Sequence, residues 1–256
     1  MPADILCRIV AAKRDTLAVA KAVHPQGELA RRCADLPPTR GFAVALAAPG
    51  IRVIAESKKA SPSKGLIAPD YDPAANVRRY ERLGAAACSV LTEERFFLGS
   101  LGDLRAARAA CALPLLRKDF VFDAYQLFEA RAAGADAVLL IAALLEDDAH
   151  LDDLAAQAAA LGLDVLGEAH TAEEVDRLVA LGLRVIGVNA RDLRTFRTDL
   201  AAVRALLGRI PGDRLAVAES AILSRADLAA TGARRCLVGE ALMRDPNLLV
   251  ELTRCV

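Results

Sequence analysis

The run Val53-Ile-Ala-Glu-Ser-Lys-Lys-Ala-Ser-Pro-Ser-Lys-Gly65 starts as an apolar strand and ends abruptly in charge. Glu56 and Lys58 are two residues apart, so on an extended backbone both side chains leave by the same side. Charge is costly to hold beside an apolar core unless it is paired. A carboxylate and an ammonium placed together supply a proton donor, a proton acceptor and an anion-binding group. The hydroxyls of Ser61 and Ser63 follow in the turn.

The pattern recurs along the chain. Apolar runs end in Thr92-Glu93-Glu94 followed by Phe96 and Phe97, in Arg117-Lys118-Asp119-Phe120, in Glu168 then His170, in Asn189 then Arg191, in Glu219-Ser220 and in Gly239-Glu240. Each one alone reads as a solvated strand end or a stabilising rim ion pair. Together, Glu56, Lys58, Lys118, Glu168, Asn189 and Glu219 around one mouth would be an expensive ring without chemistry to perform. Like charges forced together push their pKa values apart, which creates separate acid and base roles near neutral pH. The run Val138–Ala143 alone ends apolar and is expected to form a wall of the site.

These groups need a scaffold that gathers strand ends. Eight short apolar runs occur, at Arg52–Ala55, Ala87–Leu91, Leu113–Leu116, Ala137–Ile141, Asp164–Leu166, Val185–Val188, Leu215–Ala218 and Cys236–Val238. Their starts are spaced by about 20 to 36 residues, the rhythm of βα units. The runs are continuous rather than alternating, as expected of parallel strands covered on both faces. Ala-rich stretches of helical period lie between them, among them Leu101–Ala112, Ala124–Ala133, Asp148–Leu161 and Ala172–Leu181. Gly134, Gly162, Gly182 and Gly232 stand where helices should end, and Asp136 and Asp164 at strand entrances. The α/β class that fits is a (β/α)8 TIM barrel, whose chemistry lies at the carboxyl ends of its strands. An open doubly wound sheet is the competing fold, but the chain lacks G-x-G-x-x-G. Residues 1–50 form an N-terminal helical extension, with helices expected at Ile5–Val23, Leu29–Ala34 and 41–46; Lys13, Arg14 and Lys21 fall on the polar face of the first. Residues 1–256 read as one domain, since no linker divides them.

Composition bounds the function. Among 256 residues, 33 Lys and Arg balance 33 Asp and Glu, so the total charge offers nothing to nucleic acid or an acidic membrane surface. The six cysteines make no C-x-x-C pair and the histidines lie far from them, so no metal is expected. No apolar run is long enough to span a bilayer, and no leader pattern is visible. A cytoplasmic location follows as the expectation. The oligomeric state is not fixed by the sequence, which is compatible with a monomer.

The chain resembles the indole-3-glycerol phosphate synthase family over about residues 5–252. The resemblance is carried by the block at 53–65, by Ser-Val-Leu-Thr-Glu and Phe-Phe-x-Gly-Ser within 89–100, and by Leu-Pro-Leu-Leu-Arg-Lys-Asp-Phe at 113–120 with Tyr125-Gln126. Val-Ile-Gly-Val-Asn-x-Arg-Asp-Leu at 185–193, Ala-Glu-Ser at 218–220 and Leu-Val-Gly-Glu-Ala-Leu-Met at 237–243 add to it. It implies closure of an indole ring on 1-(2-carboxyphenylamino)-1-deoxyribulose 5-phosphate, with release of carbon dioxide and water and with no cofactor. It makes Lys118 the general acid at the ketone oxygen, Glu168 its acid/base partner and Glu56 a second carboxylate. Lys58 would hold an anionic group. Asn189, Ser61 and Ser220 would position the substrate near Arg191, and Phe96 and Phe120 would pack on its aromatic ring. Glu219 would stand at the binding site. Ser220, Ala221, Gly239 and Glu240 occupy the loops where such barrels take phosphate on backbone N–H groups.

The chain departs from the family pattern at Ser57, Ala190 and Ala221, where an aliphatic residue, Asn and Gly are usual. Ser57 should face away from Glu56 and Lys58, so its effect falls on packing; Ala221 bears on phosphate affinity. Two other readings compete. A phosphosugar isomerase barrel would want a Cys and an Asp at strand ends, which the chain does not place well. A barrel that has lost activity and serves as a binding subunit would not be expected to keep Glu56, Lys58, Lys118, Glu168 and Asn189.

Overall fold

The computed structural model describes residues 5–189, 199–220 and 222–254. Three helices come first: α1 (Ile5–Val23), α2 (Gln26–Ala34) and α3 (Phe42–Ala47). The strand β1 (Arg52–Ser57) then opens a closed barrel that continues through β4 (Ala87–Leu91), β5 (Leu115–Lys118), β6 (Ala137–Ile141), β7 (Asp164–Ala169), β8 (Val185–Asn189), β9 (Leu215–Glu219) and β10 (Arg235–Val238). All eight neighbouring pairs are parallel, and β1 closes the ring by pairing with both β10 and β4. Helices α4 (Pro73–Arg82), α5 (Leu101–Ala110), α6 (Ala124–Ala132), α7 (Asp148–Ala160), α8 (Ala172–Ala180), α9 (Leu200–Leu207) and α10 (Arg225–Thr231) each follow a strand; α11 (Glu240–Arg244) and α12 (Leu248–Thr253) follow the last. This is the (β/α)8 barrel that the sequence rhythm predicts.

Strand alternation divides the core in two. Val53, Ala55, Cys88, Val90, Leu115 and Val138 point outward and pack beneath the helices. Ile54, Ala87, Leu116, Leu139, Leu166, Val217 and Leu237 point inward and fill the barrel axis. At the amino-terminal end α3 plugs the barrel, with Phe42 and Leu46 fully buried against that inner set. Polar groups fasten the plug: Ala43 N–H donates to Asp164 Oδ2 at 2.8 Å, Arg52 Nε to the Ala45 carbonyl at 3.0 Å, and Arg235 Nε to the Leu46 carbonyl at 2.7 Å. Asp136 is more than a polar residue at a strand entrance. It is buried and accepts from Arg40 N, Leu115 N and Arg108 Nη1 at 2.6–2.7 Å, so the carboxylate is compensated on every side.

Local signals are met where the chain must turn. Gly134, Gly162, Gly182 and Gly232 all take left-handed φ between 72° and 90° at helix ends. Two expectations shift. The third apolar run becomes a strand only from Leu115 and extends to Lys118, since Pro114 has no N–H for the ladder. The loop after β1 is itself structured: β2 (Ala60–Ser61) and β3 (Gly65–Leu66) form a small antiparallel pair.

The polar face expected for α1 needs correction at Lys13. That side chain is only 3% exposed and meets Asp119 Oδ1 at 3.0 Å and Glu94 Oε2 at 2.7 Å. The helix turns Lys13 toward the barrel, where the buried Asp119 carboxylate compensates its charge and the exposed Glu94 covers it from the solvent side. Lys21 does stay near the surface and pairs with Asp123 at 2.6 Å.

Candidate active site

The carboxyl ends of the strands open into a cavity of about 580 Å³. Along each strand the inward positions change from apolar to polar on reaching this end. On β1, Ile54 gives way to Glu56 and then Lys58; on β5, Leu116 to Lys118; on β7, Leu166 to Glu168; on β9, Val217 to Glu219. Glu56, Lys58, Ser61, Lys118, Phe120, Glu168, Asn189, Glu219, Ser220, Gly239 and Glu240 all line the cavity. Arg191 and Ala221, together with position 190, lie outside the described residues.

Lys118 is central. Its Nζ lies 2.9 Å from Glu168 Oε2 and 3.7 Å from Glu219 Oε2. Burial works to lower its pKa, but Glu168, Glu219 and Glu56 outweigh burial and raise it, so the group is an ammonium. The two carboxyls beside it are driven apart. Burial would raise Glu168, yet Lys118 and His170 hold it well below the usual carboxylate range. Burial and the charge of Glu168 push Glu219 well above that range. A carboxyl held low, an ammonium and a carboxyl pushed high therefore share one floor, the separation of pKa values that distinct acid and base roles require.

Two glycines make room for this charge. A Cβ on Gly187 would overlap Glu219 Oε1, and one on Gly239 would overlap Glu56 Oε1 and stand 2.8 Å from Lys58 Nζ. Over Gly239, Lys58 Nζ reaches Glu56 Oε1 at 2.5 Å, the pairing expected from their spacing. Asn189 stands on the next strand to Glu219, opposite it in register, and Ser220 Oγ donates to Asn189 Oδ1 at 2.8 Å. Ser220 takes a left-handed φ of 66°, unusual for a residue with a Cβ. At the β10 end, Glu240 begins α11 and its carboxylate pairs with Arg244 at 2.7 Å. Leu139, Ile141 and Ala143 give the apolar wall expected from β6.

The supports lie behind the floor. Asp119 is fully buried and accepts from Thr92 Oγ1 at 2.6 Å, Arg117 Nη2 at 2.9 Å and Phe120 N at 2.9 Å. Burial alone would raise its pKa; the charges of Arg117 and Lys13 and the hydrogen bonds from Thr92 and Lys13 bring it down to about 2. Gln126 donates to the Phe120 carbonyl and accepts from Phe122 N, each at 2.9 Å, so both sides of the Phe120 backbone are held. Helix α1 supplies Ile5, Leu6 and Ile9 to the cavity, above the Lys13–Asp119 pair. Ser57 faces outward, as its place on the strand requires; its Oγ is 3.0 Å from Tyr71 Oη and accepts from Asn76 Nδ2 at 3.1 Å.

One aromatic assignment changes. Phe96 does not line the cavity; Phe97 does, with its ring centroid 6.2 Å from that of Phe120. The buried Glu93 carboxylate accepts from the N–H groups of Arg95, Phe96 and Phe97 at 2.7–3.0 Å and curls the segment into a tight turn. That turn sends Phe97 inward and Phe96 beneath the Arg8 guanidinium, 5.7 Å away. The resemblance points to Phe96 rather than Phe97, and nothing in the sequence spacing of the two adjacent rings distinguishes them. His170 was visible two residues after Glu168 but had no role to recommend it; the structure brings its Nε2 to 3.4 Å from Glu168 Oε1.

A family model for indole-3-glycerol phosphate synthase matches residues 6–254. The curated indole-3-glycerol phosphate synthase of Aromatoleum aromaticum is 48% identical over 251 residues, covering 95% of each chain. Among solved structures, a thiamine phosphate pyrophosphorylase from Pyrococcus furiosus overlays with a TM-score of 0.57 at 16% identity, over 79% of this chain and 93% of that one. At that identity the overlay speaks to the barrel fold alone.

Proposed function

Since the chain belongs to the indole-3-glycerol phosphate synthase family, we propose that Lys118, Glu168 and Glu219 carry the proton transfers of that family's reaction and that Glu56 and Lys58 complete the site. The activity itself is that of a carbon–carbon lyase of tryptophan biosynthesis, acting on a small phosphorylated substrate. The ring carbon bearing the substrate carboxylate attacks the ketone carbon. Carbon dioxide leaves and the benzene ring regains aromaticity. The hydroxyl then departs as water while a carbon-bound proton is lost.

Each step asks for a group of a particular kind. Negative charge builds on the ketone oxygen during attack, and the Lys118 ammonium is the donor set to meet it. A positioned acid of this sort contributes about 10²–10⁴ in rate. Glu168, kept ionised, accepts the proton that is later removed. Glu219, kept neutral, is an acid for the departing hydroxyl, and Glu56 is a second carboxylate for the later transfers. Lys58 holds an anionic part of the substrate, and Ser61, Asn189 and Arg191 orient it. Phe120 and Phe97 take the aromatic ring between them and the apolar wall of β6. The backbone N–H groups near Ser220, Ala221, Gly239 and Glu240 receive the phosphate. Under this reading residues 1–256 act as one unit in the cytoplasm, without metal, cofactor or nucleic acid; among the described residues no helix is long and apolar enough to cross a membrane.

The observation that carries the proposal is the position of Lys118 Nζ, 2.9 Å from Glu168 Oε2 and 3.7 Å from Glu219 Oε2. Incubation with the carboxyphenylamino-deoxyribulose phosphate, followed by indole fluorescence, tests it. Full turnover by a Lys118→Met protein would remove Lys118 from the mechanism.

A further inference from the structure

One half-buried titratable side chain in the cavity wall takes no part in the scheme above. His170 follows the end of β7, with its ring between two carboxylates: Nε2 is 3.4 Å from Glu168 Oε1 and Nδ1 is 3.5 Å from Glu174 Oε2. Both ring nitrogens are buried, and neither makes a hydrogen bond of normal length. Contacts of this kind in an unliganded site commonly tighten when substrate binds. Glu174 is fixed in place at the start of α8, where its Oε2 accepts from His170 N at 2.6 Å and its own N–H donates to Thr171 Oγ1 at 3.2 Å. The side chains of His170 and Glu174 are 17% and 16% exposed against 5% for Glu168, so the ring and Glu174 both connect the buried Glu168 to solvent.

The reaction creates a need for such a route. The substrate carboxylate leaves as carbon dioxide and its hydroxyl leaves as water. One proton goes to the ketone oxygen, a second goes to the departing hydroxyl, and one is recovered from carbon. The balance is substrate anion plus one proton giving product, carbon dioxide and water. A proton must therefore enter from solvent in every turnover.

We propose that His170 is the proton relay of this site, passing a proton from the solvent side at Glu174 to Glu168 and thence to Lys118 and Glu219, the two groups that give up protons in the scheme above. It acts through Glu168 and does not touch the reacting atoms, so it is a positioning and relay residue; the proposal rests on the assignment of Glu168 above. In each cycle an Nε2–H bond of the charged ring breaks as the proton moves to Glu168; the neutral Nδ1–H ring then turns over, so that its bare nitrogen faces Glu174 and takes a proton from solvent there. The described charged groups around the ring are Glu168 on β7, Glu174 on α8 and Lys118 on β5. Burial and Lys118 favour the neutral ring; the two carboxylates outweigh them and raise its pKa, so a charged ring is available to give a proton near neutral pH.

His170→Asn retains a planar polar side chain and removes the titration. Its single-turnover rate and kcat are expected to fall about a hundredfold, the lower end of the range for a lost proton-transfer group, with KM little changed. Rising concentrations of imidazole should restore the rate, because a small diffusible acid can replace the relay. An unchanged rate would overturn the proposal, as would a loss that moves with KM or that imidazole fails to rescue, since either would make the ring a packing element. Glu168→Gln separates the two readings. An active Glu168→Gln protein would remove the premise; an inactive one beside a fully active His170→Asn protein would remove the relay alone.

Discussion

The Glu219 carboxyl on β9 lies over Gly187 on the adjacent strand β8, and a methyl group on the glycine would occupy the space taken by Glu219 Oε1. The glycine is thus a receptacle for a buried carboxylic acid. Gly187→Ala should displace the Glu219 carboxyl, reduce kcat, and lower the melting temperature by a few degrees, in keeping with about 1–3 kcal/mol for overpacking. Adding Glu219→Ala to it should recover the stability but not the activity. A double variant as unstable as Gly187→Ala would place the clash elsewhere.

Lys118→Met should leave the circular dichroism spectrum unchanged and lower kcat by at least a hundredfold, within the range of about 10²–10⁴ for a general acid. A protein retaining more than about a tenth of wild-type turnover would contradict that role.

Glu219 carries a prediction for stability against pH. Its folded-state pKa is raised by burial and by Glu168, whereas the unfolded chain titrates near the ordinary glutamate value of about 4.3. Above that value the unfolded state ionises while the folded state keeps its proton, so this group costs stability progressively as pH rises toward its folded pKa. Glu219→Gln removes the cost. The variant should melt higher than wild type at pH 8 and close to it at pH 4. Equal differences at both pH values would show that the carboxyl is ionised in the folded protein.

The exchange of Phe96 for Phe97 at the cavity is open to a direct kinetic comparison. Phe97→Ala should raise KM for the aromatic substrate several-fold, consistent with loss of about 0.5–1.5 kcal/mol from a ring contact. Phe96→Ala should leave KM near wild type, because its ring lies under Arg8. The opposite ranking would restore the sequence-based assignment.

The phosphate loops offer a contrast between side chain and backbone. Glu240→Gln should change KM little if the amide is the contributing group, since the carboxylate is already engaged by Arg244. A fall in KM of tenfold or more would mean instead that the carboxylate repels the phosphate.

The sequence by itself determined the barrel and the composition of its mouth. Strands covered on both faces must read as apolar runs, and a charged residue can end such a run only where the strand leaves the core; Glu56, Lys118, Glu168 and Glu219 were therefore legible as strand ends that share one rim. The two-residue spacing of Glu56 and Lys58 also fixed their common side, and that of Ser57 the opposite one. What the tertiary structure decided is how those groups act on one another. Whether a carboxyl is ionised depends on distances across strands far apart in the chain, so nothing local distinguishes Glu168, drawn down by Lys118, from Glu219, pushed up by burial. The choice between Phe96 and Phe97 was made by a turn wound around the buried Glu93, and the burial of Lys13 by Asp119, 106 residues away. Gly187 and Gly239 show the same limit: a missing side chain carries no signal of its own until the carboxylate that fills its space is in place.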